Sequence, residues 1–241
     1  MCSKSLKTGH RNRPSNGRKF TKYQRNTLKI MLTALIDYES GNLHSALKAF
    51  EIISNKNSLG SVKLTGDPDI ISKADRLVLP GDGAFPACKQ ALERSEIFEA
   101  LKYAVFAKGT PFLGICVGMQ LMANKGFEFE QTNGFGWING EVEKITLSDP
   151  DLKIPHMGWN EIIIENDHPI LNEIKNGDHF YFIHSYQMKV LSQEQRLAHV
   201  SYGGDITAIV AKDNMVGLQF HPEKSSLSGM KIIQNFLEWQ P

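Results

Sequence analysis

PFLGICVGMQLM, residues 111–122, places a cysteine between two glycines at the end of an apolar run. The run is typical of a buried β-strand, and the residues after the cysteine favour the start of a helix. Cys116 therefore falls at a strand-to-helix junction. Gly114 and Gly118 complete a G-x-C-x-G arrangement, the cysteine form of the nucleophile elbow, in which small flanking residues permit a sharp turn.

An elbow of this kind would activate the sulfur of Cys116. The helix that follows directs unpaired N–H groups at the sulfur, which favours the thiolate over the thiol. The N–H of Val117 is placed to donate to an oxyanion. The alternative is that Cys116 is a small apolar residue filling a gap in the core. The choice depends on whether the chain supplies a base.

A base is available in MVGLQFHPEKS, residues 215–225. The pattern predicts a strand that ends in His221, with Glu223 two residues further on. Side chains at i and i+2 of a strand face the same side, about 6.6 Å apart along the chain, so the carboxylate and the imidazole can meet. A carboxylate bonded to one ring nitrogen leaves the other free to take a proton from sulfur. A strand-end histidine beside a solvated glutamate is the alternative, and the elbow favours the catalytic interpretation.

The chain around these motifs has the pattern of a single α/β domain. Apolar strands at 32–37, 61–68 and 76–85 alternate with helical patterns at 41–53 and 88–109, the second of which Gly109 closes. This alternation predicts a parallel sheet with right-handed crossovers. After residue 135, strand-like runs separated by turn residues lead to a final helix at 228–240. We predict a mostly parallel central sheet flanked by helices, with antiparallel strands in the C-terminal half.

Residues 1–30 differ from the rest of the chain in charge. They contain nine Lys or Arg and no Asp or Glu, which leaves 18 basic against 26 acidic side chains, or −8, in the remainder. Such a polar segment cannot bury enough apolar surface to fold alone, so we predict a disordered basic extension at 1–30 and a folded domain at 31–241. It could be an organelle transit peptide, a nucleic-acid-binding tail or an appendage preceding Met31. We favour the appendage.

Cysteine usage and composition exclude several classes of protein. Cys2, Cys88 and Cys116 have no spacing typical of a disulfide framework or a zinc site, which favours a reducing, cytoplasmic compartment. Cys88 lies in helical pattern and is predicted to be a partly buried, inert thiol. No apolar run approaches the roughly 18 residues needed to span a membrane. We expect no metal, no cofactor, no membrane contact and no nucleic-acid partner.

The two motifs together resemble the class I (triad) glutamine amidotransferases, which have a flavodoxin-like α/β fold. More narrowly, the chain is similar to the glutaminase subunits of imidazole glycerol phosphate synthase, from histidine biosynthesis. The broader likeness rests on GICVGMQLM and QFHPEKS. The narrower one rests on segments that span roughly residues 32–238 in the family's order: IDYESGNLHSALKAFE, LPGDGAFPAC, IPHMGWNEI and YFIHSYQM.

The resemblance implies a role for each motif residue. Cys116 is the nucleophile, His221 the base and Glu223 the residue that orients the base. The oxyanion site comprises Val117, Gly81, Asp82 and Gly83. The substrate-binding positions are Gln120, Glu128, Gly83, His184, Ser185 and Tyr186. The partner-facing positions are His156, Met157, Gly158, Trp159 and Lys224.

Two of these positions carry specific expectations. The family commonly has valine where this chain has Asp82, and a carboxylate aimed at a developing oxyanion would oppose it. We therefore predict that the Asp82 side chain points away and that only its backbone acts. Trp159 could simply pack in the core, whereas an exposed Trp159 would favour an aromatic anchor at an interface.

The resemblance also implies a reaction and a partner. Glutamine is hydrolysed to glutamate and ammonia, and the ammonia passes to a cyclase subunit with a (β/α)₈-barrel fold, the two chains forming a heterodimer. The cyclase converts a phosphoribulosyl formimino nucleotide to imidazole glycerol phosphate and an aminoimidazole carboxamide ribonucleotide. One alternative is a glutaminase subunit for another acceptor, such as an enzyme of surface-sugar amination. The other is a non-enzymatic assembly subunit with an inactive site.

Overall fold

The first half of the chain folds as alternating strands and helices. The computed structural model describes Met1, residues 30–38 and residues 43–241. The strands of this half are β1 (Leu32–Ile36), β2 (Ser61–Thr65), β3 (Arg76–Gly81) and β4 (Phe112–Cys116). The helices are α1 (His44–Asn57), α2 (Pro68–Lys73), α3 (Phe85–Arg94), α4 (Ile97–Lys102) and α5 (Val117–Gln120), with a π-helical turn at Tyr103–Ala107.

The second half is mostly β-structure. Its strands are β5 (Lys125–Gly126), β6 (Thr132–Asn133), β7 (Gly140–Lys144), β8 (His156–Glu161), β9 (Ile163–Ile164), β10 (His179–His184), β11 (Tyr186–Val190), β12 (Arg196–Ser201), β13 (Asp205–Lys212) and β14 (Met215–Leu218). Short 3₁₀ turns lie at Pro169–Leu171, Gln193–Gln195 and Pro222–Lys224, and the chain ends in α6 (Ser226–Glu238).

One eight-stranded sheet, in the order β2-β1-β3-β4-β14-β13-β12-β9, forms the centre of the molecule. The strands from β2 to β14 run parallel, and β13, β12 and β9 continue the sheet in antiparallel pairing. A four-stranded sheet (β11-β7-β5-β6) and a β10-β8 pair lie beside it. The predicted fold class, a mostly parallel sheet with antiparallel strands in the C-terminal half, is confirmed.

Several element boundaries differ from the sequence prediction. The short helix α2 was not expected, because its apolar positions are few; Asp67 starts it by accepting a hydrogen bond from the Asp69 N–H. The single helix predicted at 88–109 is two helices, separated at residues 95–96. Gly109 takes φ +67° after the helical segment, as a residue that closes a helix commonly does.

The parallel strands bring the two motifs to the same edge of the sheet. Every residue of β3 and β4 is buried, as expected for strands covered on both faces. Gly81, the last residue of β3, pairs with Cys116, the last residue of β4. Ligands of open parallel sheets bind at the carboxyl ends of the strands, so this edge is where a site is expected.

Two of the sequence predictions concern residues outside this description. The disordered extension at 1–30 and the domain boundary after it fall largely on residues 2–29, and part of the IDYESGN segment falls on residues 39–42. Within the described residues, no helix is both long enough and apolar enough to cross a membrane.

Candidate active site

The backbone at Cys116 is sharply bent, as the elbow predicts. Cys116 has φ 53° and ψ −112°, a combination that side-chain-bearing residues rarely adopt and that costs of order 1–3 kcal/mol. The turn brings α5 directly onto the neighbouring strand: a Cβ atom added at Gly118 would lie 1.9 Å from the Leu79 carbonyl oxygen. One added at Gly114 would lie 2.6 Å from the Gly118 oxygen. Both glycines are therefore required by close backbone packing.

His221 and Glu223 form a buried hydrogen-bonded pair. The His221 Nδ1 lies 2.9 Å from the Glu223 Oε1, and each side chain is less than a tenth exposed. The local structure that joins them is a correction to the strand prediction. β14 ends at Leu218, and Glu223 lies in the 3₁₀ turn Pro222–Lys224 that follows His221. The turn folds the carboxylate back onto the ring, whereas a strand would have held the two side chains parallel.

The surroundings of His221 favour its protonated form. Burial by itself lowers the pKa of the ring, but hydrogen bonds with the Cys116 sulfur and the Glu223 carboxylate outweigh it and raise the pKa to about 10. Because Glu223 occupies Nδ1, the other ring nitrogen is the one available to sulfur. The ring is thus an imidazolium at neutral pH, placed between a sulfur and a carboxylate.

Cys116 and His221 open onto a cavity of about 290 Å³, and Glu223 lies behind the ring, outside the cavity lining. Its walls come from the ends of β3 and β4, from α5, from the loop after β5 and from the β10–β11 junction. The lining residues are Asp82, Gly83, Cys116, Val117, Gln120, Glu128, Pro155, Ile183, His184, Ser185, Tyr186, His221 and Lys224. Thus every residue predicted to bind substrate lies at this cavity. A larger groove, of about 580 Å³, runs past Trp159 but contains no member of the Cys-His-Glu set.

Gly81 is the one predicted oxyanion residue that does not line the cavity. It is buried in β3, where an added Cβ would lie 2.7 Å from the Gly118 N and 3.0 Å from the Tyr38 hydroxyl. Asp82 and Gly83, which follow it, lie at the cavity wall, and Gly83 has φ +145°. Gly81 therefore packs closely against α5 and does not face the cavity. The outward orientation of the Asp82 side chain stays a prediction.

Two residues that line the cavity form hydrogen bonds with distant parts of the chain. Glu128 accepts a hydrogen bond of 2.8 Å from the Phe85 N–H, which joins the loop after β5 to the start of α3. Gln120 is buried, and its Nε2 donates to the Tyr186 carbonyl at 2.9 Å and to the Gln219 Oε1 at 3.1 Å. The cavity walls are thus held by hydrogen bonds between separate elements.

Cys88 lies behind the loop that carries Gly83. Its sulfur would be 3.5 Å from a Cβ added at Gly83, and the residue is buried. Burial, with smaller contributions from the nearby charged groups, raises the pKa of this thiol to about 11 despite a hydrogen bond with Tyr38. Cys88 is therefore a protonated, unreactive thiol, as its helical position suggested.

The predicted partner-facing residues divide into two groups. Met157 is 58% exposed and Trp159 is 53% exposed, and Lys224 is exposed as well. Core packing of Trp159 is therefore wrong. His156 is a correction to the prediction: it is only 2% exposed, because its ring stacks between Phe182 and Tyr202, so its side chain supports the surface from beneath.

Gln219 is a residue at this site that sequence reasoning missed. It is fully buried, and its Nε2 lies 3.8 Å from the Cys116 sulfur, within hydrogen-bonding range for sulfur. Its position two residues before His221, in the same motif, was the available signal. Among the described residues, no group of His, Cys, Asp and Glu side chains is arranged to hold a metal ion.

Comparison of the sequence with known proteins places the chain in a family. Residues 34–239 match the model of the class-I glutamine amidotransferases. The imidazole glycerol phosphate synthase subunit HisH of Ruegeria pomeroyi is 57% identical, over 88% of this chain and all of that protein. The HisH subunit of Cereibacter sphaeroides is 55% identical with the same coverage. The chain belongs to the class-I glutamine amidotransferases, in the family of HisH subunits.

Solved structures support the fold of this amidotransferase independently. The crystal structure of a glutamine amidotransferase superposes with a TM-score of 0.63, covering 85% of this chain and 97% of that one at 16% sequence identity. A glutamine amidotransferase from Thermotoga maritima superposes with a TM-score of 0.54, covering 80% of this chain and 76% of that one at 17% identity. At such identities, the comparison supports only the arrangement of strands and helices.

Proposed function

We propose that this amidotransferase is the glutaminase subunit of an imidazole glycerol phosphate synthase and that Cys116, His221 and Glu223 carry its chemistry. The observation that supports the proposal most directly is the buried His221–Glu223 pair, hydrogen-bonded to a sulfur on a strained turn, at a cavity of about 290 Å³. The identity to HisH subunits, over the whole of those proteins, favours this synthase over another ammonia acceptor such as a surface sugar.

In the proposed reaction, the Cys116 thiolate attacks the side-chain amide carbon of glutamine. The Val117 N–H and the backbone of Asp82 and Gly83, which follow Gly81 at the end of β3, stabilise the oxyanion of the tetrahedral intermediate. The His221 imidazolium gives its proton to the departing ammonia, which leaves a γ-glutamyl thioester. The neutral ring then takes a proton from water, and the resulting hydroxide releases glutamate and restores the thiolate.

Substrate recognition is proposed for the remaining walls of the cavity. The Glu128 carboxylate is suited to the α-ammonium group of glutamine, and it is already held in place by the Phe85 N–H. Gln120, Gly83 and the His184–Ser185–Tyr186 segment enclose the rest of the molecule. No cofactor is required, since covalent catalysis by sulfur and proton transfer by histidine complete the hydrolysis.

The partner is proposed to be the cyclase subunit, a (β/α)₈ barrel that forms a heterodimer with this chain. Met157, Gly158, Trp159 and Lys224 would face it, because the three side chains among them are exposed and Lys224 also lines the cavity. Ammonia would then pass from the cavity to the acceptor nucleotide on the barrel, which yields imidazole glycerol phosphate and the aminoimidazole carboxamide ribonucleotide. We also propose that residues 31–241 form the amidotransferase domain.

Replacing the nucleophile tests the proposal. Cys116→Ala should lower glutamate release from glutamine by about 10⁴-fold or more, because alanine has no sulfur with which to form the thioester. With the cyclase subunit present, ammonia supplied in solution should still support synthesis. Cys88→Ala is the matched control: it removes the other buried thiol and should leave glutamate release within a few-fold of the original.

The result that would contradict the proposal is equally specific. If Cys116→Ala retains glutaminase activity, the nucleophile is another residue. If the original chain and Cys88→Ala release glutamate normally but neither supports synthesis with the cyclase, the acceptor is a different one.

A further inference from the structure

Gln219 contacts the sulfur of the proposed nucleophile without lining the open cavity. The residue is fully buried, yet its Nε2 lies 3.8 Å from the Cys116 sulfur. Its backbone N–H is bonded to the Ala208 carbonyl at 2.9 Å, which anchors the residue to β13. A thiol is a weak acceptor, whereas a thiolate is a charged one, so such a contact favours the thiolate.

The orientation of the Gln219 amide follows from its neighbours. The Tyr186 carbonyl can only accept, so the atom of Gln120 that lies 2.9 Å from it must be the NH₂ group. The same Gln120 nitrogen lies 3.1 Å from the Gln219 side chain, which must present its oxygen there. The Gln219 NH₂ group is therefore the one that faces sulfur. Hydrogen bonding thus determines both amides.

The same carbonyl fixes the tautomers of two buried histidines. The His184 Nδ1 lies 2.8 Å from the Tyr186 oxygen and must carry a proton, which leaves its Nε2 as an acceptor. The His156 Nδ1, at 3.0 Å from that Nε2, must then be the donor. Burial lowers the pKa of His184 to about 3 and that of His156 to about 4, so both rings are neutral near pH 7. The Asn160 Nδ2 completes the chain at 3.3 Å from the His156 Nε2.

We propose that Gln219 is a further catalytic residue of the glutaminase reaction, whose side-chain amide donates a hydrogen bond to the Cys116 thiolate. Gln120, His184 and His156 are the positioning residues that hold this amide in its donating orientation. The inference rests on the proposed function, since it assumes that Cys116 is the nucleophile. The Cys116 sulfur then has two hydrogen-bond donors, the His221 imidazolium and the Gln219 amide. The amide lies outside the cavity lining, so it does not obstruct the substrate.

The pH dependence of the reactivity of the Cys116 sulfur reflects every charged and titratable group around it. They come from every element packed at the site: Asp82, Cys88, Glu128, His184, Tyr186, His221, Glu223 and Lys224. A change confined to Gln219 leaves all of them in place. A shift in the titration of the sulfur then measures the contribution of the amide.

The experiment measures the rate of alkylation of Cys116 by iodoacetamide against pH in the full chain, with mass spectrometry to locate the label. Gln219→Met, which keeps the volume and removes the donor, should move the midpoint of the profile upward by about one pH unit, or about tenfold less thiolate below the midpoint. Gln219→Leu also removes the donor and adds no titratable group, so its midpoint should move as far. This second variant serves if the first does not fold.

The control variant is Asn235→Leu, which removes another buried amide that bonds the carbonyls of Ile170 and Asn172 at 2.9 and 2.7 Å. It should cost similar stability and leave the profile unchanged. His156→Phe keeps the ring stacking and removes the hydrogen bond to His184, so the Tyr186 carbonyl that positions Gln120 is held less firmly; it should give an upward shift of about half a unit.

The outcomes separate this inference from the function it rests on. If the unmodified chain is not labelled at Cys116, the nucleophile and the inference both fail. If Cys116 is labelled but its profile is the same in both Gln219 variants, the proposed function stands and the inference is overturned. An unshifted profile in His156→Phe would overturn the positioning role of the histidines.

Discussion

At the scale of single residues, the site depends on opposing effects on one imidazole. Burial of His221 disfavours a charged ring, and the adjoining sulfur and carboxylate restore the charge and carry its pKa to about 10. A ring that holds its proton at neutral pH can donate to a leaving amine without first acquiring a proton from water. Glu223 is therefore as important for the protonation of the ring as for its orientation.

The free energy of unfolding of the chain should depend on the protonation of His221. Folding raises the pKa of His221 from 6.5 to about 10, so the stabilising contribution is fully present below pH 6.5 and is lost as the pH rises through about 10. Glu223→Gln should lower the free energy of unfolding by about 2 kcal/mol at pH 6, the value of a charge-assisted hydrogen bond. The deficit should shrink toward pH 10. Urea unfolding at the two pH values measures it.

A solvated carboxylate provides the control for that measurement. Glu173 also pairs with a cation, Lys231, but its side chain is 79% exposed. Glu173→Gln should change the free energy of unfolding little at either pH, because exposed ion pairs are weak. A deficit in Glu223→Gln that does not depend on pH would show that the carboxylate acts by packing alone.

At the scale of elements, the site exists because a helix begins immediately where a strand ends. α5 leaves β4 without an intervening loop and lies against β3, so its first N–H groups are directed at the end of the sheet. That approach is possible only without side chains at the contact. The bend at Cys116 and the contact at Gly118 are two parts of one backbone arrangement.

Gly118→Ala should therefore disrupt the elbow. Its Cβ would lie 1.9 Å from the Leu79 carbonyl oxygen. That oxygen belongs to the backbone, so it cannot rotate away as a side chain would. We expect a loss of about 3 kcal/mol in the free energy of unfolding and loss of glutamate release, because α5 must move off β3. Denaturant unfolding and a glutaminase assay measure the two effects.

Gly109→Ala is the matched control for this substitution. An added Cβ there has no atom within 4 Å, and the remaining cost is that of a left-handed backbone at φ +67°, about 1 kcal/mol. Glutamate release should be retained. Equal losses of activity in the two variants would contradict the role given to the elbow.

At the scale of the whole molecule, two large apolar side chains are exposed on β8, the strand that pairs with β10 at the cavity wall. Met157 and Trp159 lie on β8 with more than half of their surface exposed, although most large apolar residues of the described chain are buried. A partner that covers β8 would bury both side chains. Aromatic residues of this kind commonly supply much of the energy of an interface.

Trp159→Ala should weaken binding of the cyclase subunit by about 2 kcal/mol, or roughly 30-fold, while changing the free energy of unfolding of the free chain by less than about 1 kcal/mol. Calorimetric titration and denaturant unfolding measure these effects. Stimulation of glutamate release by the cyclase and its nucleotide should need more cyclase in this variant. Tyr103→Ala removes an aromatic ring that is 57% exposed but absent from the cavity lining, and should bind normally. Unchanged binding in Trp159→Ala would place the interface elsewhere.

The bend at Cys116, the pairing of His221 with Glu223 and the class of fold could be predicted from sequence because their signals are local. The turn at Cys116 needs glycines within two positions, and the partner of His221 is two residues away. The alternation of apolar strands with amphipathic helices likewise reports a parallel sheet over short windows. The prediction of how His221 meets Glu223 was wrong in detail, since Pro222 starts a 3₁₀ turn in place of a continued strand.

The amino-acid sequence by itself determined which chemical groups this protein has and the alternation of strands and helices that gives a mostly parallel sheet. Packing between distant segments determined the rest: the contact of Gln219 with a sulfur 103 residues earlier, the burial of the His156 ring between Phe182 and Tyr202, and the exclusion of Gly81 from the cavity. Such contacts depend on the register and spacing of elements that are remote in sequence. Periodicity and motif spacing describe only neighbours along the chain, so they carry no record of those distances.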